Sequence, residues 1–235
     1  MATSSNKPVS VLHRRKLLAM VCAAALPACW RPEKTGYEID LSKLNPEEKA
    51  RAHRFRGVDS IDLAIDGFGR KIGVNLFDQN GRLFNSSSEY RPNQADKILR
   101  TVGPLSIPVT LRGEWRDDSP AGPRPESTRD GVMWGGNVIG NYTVPVAERI
   151  PDALLDELRK NGGQLRLKIR LHDDGLLIGW DIARRPGYKP GGSGVPAVFS
   201  MTGGDFKEAI IFNGKAVEKG WYIHPKTGQR IETDF

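Results

Sequence analysis

Leu165-Arg166-Leu167-Lys168-Ile169-Arg170-Leu171-His172-Asp173-Asp174-Gly175-Leu176-Leu177-Ile178-Gly179-Trp180-Asp181-Ile182 places an apolar side chain at every second position, turns, and continues apolar. Alternation with period two marks a strand with one buried face. Asp-Gly between two such runs marks a two-residue hairpin. With Asp174-Gly175 as the loop, Leu171 should face Ile178, Ile169 should face Trp180 and Leu167 should face Ile182. Lys168 then lies opposite Asp181 on a wet face. Arg166, Lys168 and Arg170 line that face, with Arg184, Arg185 and Lys189 close by in sequence. This basic row is the candidate surface for a protein partner. The plainer reading is a solvated sheet face.

The flanking sequence repeats the pattern. Ile61, Leu63 and Ile65 alternate with polar or small residues, as do Ile72, Val74 and Leu76. Asn80-Gly81 and Asn213-Gly214 are further hairpin signals. They set Phe77 against Phe84, Ile210 against Val217, Glu208 against Lys219 and Phe206 against Trp221. Residues 107–115 and 138–150 read as strands. Two helices are expected. One starts at Pro46 behind an Asn45 cap, with Glu47 and Glu48 in its first turn, and ends before Gly57. The other covers 151–160, with Leu154, Leu155 and Leu158 as its apolar stripe, and stops at Asn161-Gly162-Gly163. Segments 116–131 and 186–196 are rich in Pro and Gly and read as exposed loops. Frequent hairpins without βαβ alternation predict an α+β fold. It is mainly antiparallel β-sheet, sandwich-like, with two short helices.

The N-terminus carries a different signal. Lys7, Arg14, Arg15 and Lys16 precede the apolar run Leu17–Leu26, and Leu26-Pro27-Ala28-Cys29 follows. A basic region, a short apolar core and a small residue before the cut describe an export signal. The run is too short for the ~20 residues of a membrane-spanning helix. The segment resembles the lipobox signals of bacterial lipoproteins, with Pro27 replacing the usual small residue. That resemblance implies cleavage before Cys29 and acylation of Cys29. It also implies a signal peptide at 1–28, a lipid-anchored tether at 29–42 and a single β-rich periplasmic domain at 43–235. Trp30, where Asp would favour the inner membrane, implies the outer membrane; the periplasmic face is the expected location, although the sequence leaves the side open. Arg14-Arg15-Lys16-Leu17-Leu18 also loosely resembles a twin-arginine signal, so the export route stays open.

Composition narrows the classes. The chain has 35 Lys+Arg and 28 Asp+Glu, for a net charge of +7. Residues 1–28 hold four of the bases and no acid, which leaves +3 for the rest. Such a mild charge does not argue for nucleic acid. Cys22 and Cys29 are the only cysteines, so no disulfide is expected after processing. No nucleophile elbow, phosphate loop or zinc motif occurs. His172-Asp173-Asp174 is explained by turn chemistry, His224 sits in a turn context, and His53 should be solvated. Asp59, Asp62 and Asp66 lack a His or Cys companion, and the Trp residues read as core. No cofactor or metal is expected. The lipobox, the size and the strand-rich body loosely resemble the lipoproteins that give immunity to lipase-type effectors of type VI secretion. The resemblance implies a non-catalytic binding protein covering a toxin. A structural or assembly lipoprotein, and an enzyme with an unrecognised site, are the alternatives.

Overall fold

A computed structural model describes residues 40–58, 60–92, 96–101, 105, 107–117, 135–184 and 198–235. Cys29, Asp59, Trp134, Arg185, Lys189, the signal at 1–28, most of the tether and of the loop at 116–131, and the loop at 186–196 lie outside the described residues. The elements run α1 (Pro46–Arg54), β1 (Ser60–Gly67), β2 (Lys71–Phe77), β3 (Leu83–Tyr90), β4 (Asp96–Thr101), β5 (Thr110–Arg116) and β6 (Val138–Pro145). There follow α2 (Asp152–Asn161), β7 (Gln164–His172), β8 (Gly175–Arg184) and β9 (Val198–Gly204). The last five strands are β10 (Phe206–Lys207), β11 (Ile210–Phe212), β12 (Lys215–Glu218), β13 (Gly220–Ile223) and β14 (Arg230–Thr233).

The expected class holds: the fold is mostly antiparallel sheet with two helices, and it does not close into a barrel. A five-stranded sheet has the order β4-β1-β7-β8-β9, and a four-stranded sheet has the order β3-β2-β5-β6. Their apolar faces share one core. Ile61, Leu63, Ile65, Leu165, Leu167 and Ile169 come from the first sheet, and Val74, Leu76, Leu111 and Trp115 from the second. The contact is close: a Cβ on Gly113 of β5 would stand 3.0 Å from both methyls of Leu176 on β8.

Both helices form as their sequences dictate. Asn45 accepts from the Glu48 N–H while the Glu48 side chain accepts from the Asn45 N–H, a reciprocal cap. Phe55 follows α1 and is fully buried. Leu154, Leu155 and Leu158 of α2 join the same core. Gly162 ends α2 at φ 67°, a conformation that glycine adopts without steric cost.

The expected registers need three corrections. In the central hairpin the loop is Asp173-Asp174, with His172 opposite Gly175. Ile169 therefore faces Ile178, Leu167 faces Trp180, and Arg166, not Lys168, stands opposite Asp181. Moving a two-residue loop by one position shifts the pairing by two, so the apolar side chains keep their face. Around Asn80-Gly81 the pairing Leu76–Asn85 is as expected, but an irregularity between Leu76 and Phe77 sets Phe77 against Leu83. Around Asn213-Gly214, Phe212 and Lys215 pair as expected. A bulge between Ile210 and Ile211 then slips the rest by one, and Phe206 meets Tyr222 instead of Trp221.

A fourth correction concerns the face expected to be wet. The three-stranded sheet β10-β13-β14 supplies Phe206 and Tyr222, which form a second apolar cluster with Leu177 of β8. Leu177, Lys168 and Arg170 are only 2%, 1% and 2% exposed. The central hairpin is thus buried on both faces, by the four-stranded sheet on one and by the C-terminal strands on the other.

Candidate functional site

The basic row of β7 becomes a buried ion-pair layer. β1 runs parallel to β7, with Asp62 beside Arg166, Ala64 beside Lys168 and Asp66 beside Arg170. Arg170 grips Asp66 through two bonds, Nε to Oδ1 at 2.8 Å and Nη2 to Oδ2 at 2.7 Å. Its guanidinium lies 4.4 Å from the Phe206 ring centre. Arg166 donates to both Asp181 oxygens, at 2.8 and 2.5 Å. Lys168 Nζ donates to Glu208 Oε2 at 2.6 Å and stands 3.5 Å from Asp181 Oδ2. Burial pushes the Glu208 carboxyl up, but the Lys168 charge and hydrogen bond outweigh it and hold the pKa below the usual range. Burial likewise opposes the Arg166 charge, and Asp181 raises its pKa above the ordinary value.

This layer corrects the expected contact surface. Lys168 and Arg170 are enclosed, and Arg166 is turned onto Asp181 with its guanidinium 3.9 Å from the Phe199 ring centre. Arg184 donates to Glu157 at 2.9 Å, to Ser200 Oγ at 2.9 Å and to the Gly162 carbonyl at 3.0 Å. Lys168 and Arg170 are thus not on the surface, and Arg166 and Arg184 are tied into the fold by these bonds. Asp66, which the alternation of β1 sets opposite its apolar face, is buried with Arg170.

A cleft of about 340 Å³ lies between β6, the tip of the β7–β8 hairpin and the turn after β13. Tyr142, Thr143, Asp174, Asp205 and His224 contribute its polar lining. Tyr142, Asp174, Asp205 and His224 all bond within the fold. The Tyr142 hydroxyl donates to the Asp173 carbonyl at 2.8 Å. Lys226 Nζ donates to Asp174 Oδ1 at 3.0 Å and holds that carboxyl below its usual pKa. The Lys226 N–H donates to His224 Nδ1 at 3.2 Å, inside the expected turn. His224 Nε2 stands 3.5 Å from Asp174 Oδ2. Asp205 receives two bonds from Arg149 and the Ile178 N–H at 2.9 Å. The Asp174–His224 pair has the residue types of a catalytic dyad, but its members brace two turns against each other.

His172 belongs to the same end of the fold and is 6% exposed, not set on a wet face. Its ring centre lies 4.9 Å from Phe68, 5.1 Å from His224 and 5.5 Å from Tyr222. Its Nδ1 accepts from the Asp174 N–H at 3.1 Å. Burial, with the neighbouring His224, pulls its pKa below the ordinary value. His53 is exposed, as expected. Among the described residues no group of three His, Cys, Asp or Glu could hold a metal ion.

Outer strands supply the open surface. β6 ends the order of the four-stranded sheet, and its Val138 and Ile139 are 44% and 61% exposed. β9 ends the five-stranded sheet. No protein family, characterised protein or solved structure matches the chain.

Local sequence points to Asp181 as an acidic partner of the basic row but not to Asp66 or Glu208. A signal was present: Asp62-x-x-x-Asp66 has the same spacing as Arg166-x-x-x-Arg170. Matching the two needs the parallel pairing of strands about a hundred residues apart, which no local pattern reveals.

Proposed function

We propose that the chain is a lipoprotein of the bacterial envelope, held by acyl chains on Cys29, that acts by binding a protein partner instead of by catalysis. The partner class is a secreted lipase-type effector, which the domain would block as an immunity protein. The observation that carries the binding role is the outer strand β6, which leaves Val138 and Ile139 uncovered. A strand with an open edge and apolar side chains is a ready template for a partner's backbone. The Asp174–His224 cleft next to β6 supports a rim contact, because its polar groups already serve the fold.

The test is co-purification with the effector-like product of an adjacent gene. The wild-type domain should form a stable complex. Val138→Asp with Ile139→Asp should lose it at unchanged circular dichroism, whereas His224→Ala should keep it. Loss of biological activity in His224→Ala, with folding and binding intact, would instead favour an enzyme. Anchoring is checked separately: palmitate should label the wild type and not Cys29→Ser, and equal labelling would remove the lipid anchor from the reading.

A further inference from the structure

Residues 210–219 contain no buried residue. They form the ribbon β11–β12, a two-stranded sheet of its own. Ile210, Ile211, Phe212 and Val217 are 50%, 51%, 66% and 64% exposed. A lone two-stranded ribbon is marginally stable in water, and this one carries apolar side chains on both faces. β9 adds Val198, Phe199 and Met201 at 57%, 45% and 42%. Scattered exposed apolar residues are ordinary, but a run of this density marks a contact site.

Register places the exposed part of β9 toward one end of the five-stranded sheet. Ile61 pairs with Leu165, Leu165 with Ile182 and Ile182 with Ser200. The start of β1, the end of α2 and the exposed part of β9 therefore share that end. The chain leading into the ribbon approaches the same end. Phe206 lies over Arg170, and Glu208 is already bound to Lys168, nearer the Leu165 end. Exposed Arg56, Lys160 and Lys215 bring positive charge to the same region. α1 leads into this end, and the expected anchor at Cys29 is eleven residues before Asp40. Those residues span at most about 40 Å even when extended.

We infer that the ribbon Ile210–Glu218, together with Val198–Met201, dips into the surface of an anionic phospholipid bilayer. Ile210, Phe212 and Val217 enter the boundary between headgroups and acyl chains, and Lys215, Lys160 and Arg56 meet the phosphates. Apolar insertion combined with basic attraction is how proteins lie on a membrane without crossing it. The inference rests on the lipid-anchored reading only for the nearness of the bilayer. It is independent of the protein partner assigned to β6.

The test uses the full chain with Cys22→Ala and Cys29→Ser, so that no lipid anchor contributes. A nitrobenzoxadiazole dye is attached through Phe212→Cys, or through Ser88→Cys on β3 as the control. Vesicles of phosphatidylglycerol and phosphatidylethanolamine are compared with vesicles of phosphatidylcholine. The dye at 212 should shift to the blue and brighten on the anionic vesicles, and spin labels in the acyl chains should quench it. The dye at Ser88 should not respond. Ile210→Asp with Val217→Asp should weaken the response about tenfold or more. A dye at 212 that stays in water, or an equal response at Ser88, overturns the inference. So does a response at 212 only when a protein partner is added, which would give the ribbon to that partner. Palmitate labelling of Cys29 in the wild type reads the anchor independently, so either idea can fail alone.

Discussion

Arg170 concentrates the energetics of the buried layer. Its guanidinium has left water for a carboxylate and an aromatic ring, and Nη1 finds no partner among the described residues. A buried pair contributes little net stability, but removing one member strands the other charge at a cost of about 3–5 kcal/mol. Asp66→Leu alone should therefore destabilise strongly. Asp66→Leu with Arg170→Met should recover most of the loss. Denaturant unfolding of the two singles and the double reads this directly, and additive losses would mean that the pair is not coupled. Gly140 is a second residue that packing constrains. A Cβ there would stand 1.9 Å from the Trp115 ring, which stacks on Tyr142 with centres 5.4 Å apart. Gly140→Ala must displace a core indole, so a loss of roughly 1–3 kcal/mol is expected from overpacking. A melting temperature within one degree of wild type would show that the ring moves freely.

At the scale of elements, the readable parts were those with local signals. Asn45-Pro46-Glu47-Glu48 starts a helix because its capping groups are adjacent in sequence. The Asn-Gly hairpins turned where expected, since that turn chemistry is local. Their registers failed at bulges, which insert a residue without a sequence mark. The basic row misled for another reason. Alternation shows that a strand has two unlike faces, but not that strands of two to four residues from 206–233 will cover the polar one. The tip of the central hairpin shows the same limit. A loop at Asp174-Gly175 would give Gly175 a positive φ, yet it is not among the glycines with positive φ. It is needed because a Cβ would stand 2.7 Å from Pro225 Cβ. Gly175→Ala should thus lose stability by contact with the turn after β13, not by backbone strain. Combining it with Pro225→Gly should cost less than the sum of the two single changes. Plain additivity in thermal unfolding would place the cause in the backbone.

For the whole molecule, burial of polar groups between three sheets makes stability depend on pH in two separate windows. His172 is enclosed by Phe68, Tyr222 and His224, with Asp173, Asp174 and Lys71 as the other charged groups acting on it. Burial and His224 hold its folded pKa below the ordinary 6.5. The unfolded chain therefore binds the proton first, and stability starts to fall as the pH drops below about 6.5. Glu208 behaves differently. Its folded pKa is depressed below 4.5, because Lys168 outweighs the penalty of burial. Its contribution is complete above about 4.5 and is lost as the pH falls through its folded value. His172→Gln keeps an acceptor for the Asp174 N–H but carries no titrating ring. It should flatten the stability profile between pH 7 and about 5 and leave the steeper loss at lower pH in place. Glu208→Gln should do the reverse, at a lower starting stability because Lys168 then keeps only the more distant Asp181. Free energies from urea unfolding across this range separate the two limbs. An unchanged slope near pH 6 in His172→Gln would show that the aromatic enclosure does not hold this ring neutral, and that the mild-acid limb arises elsewhere.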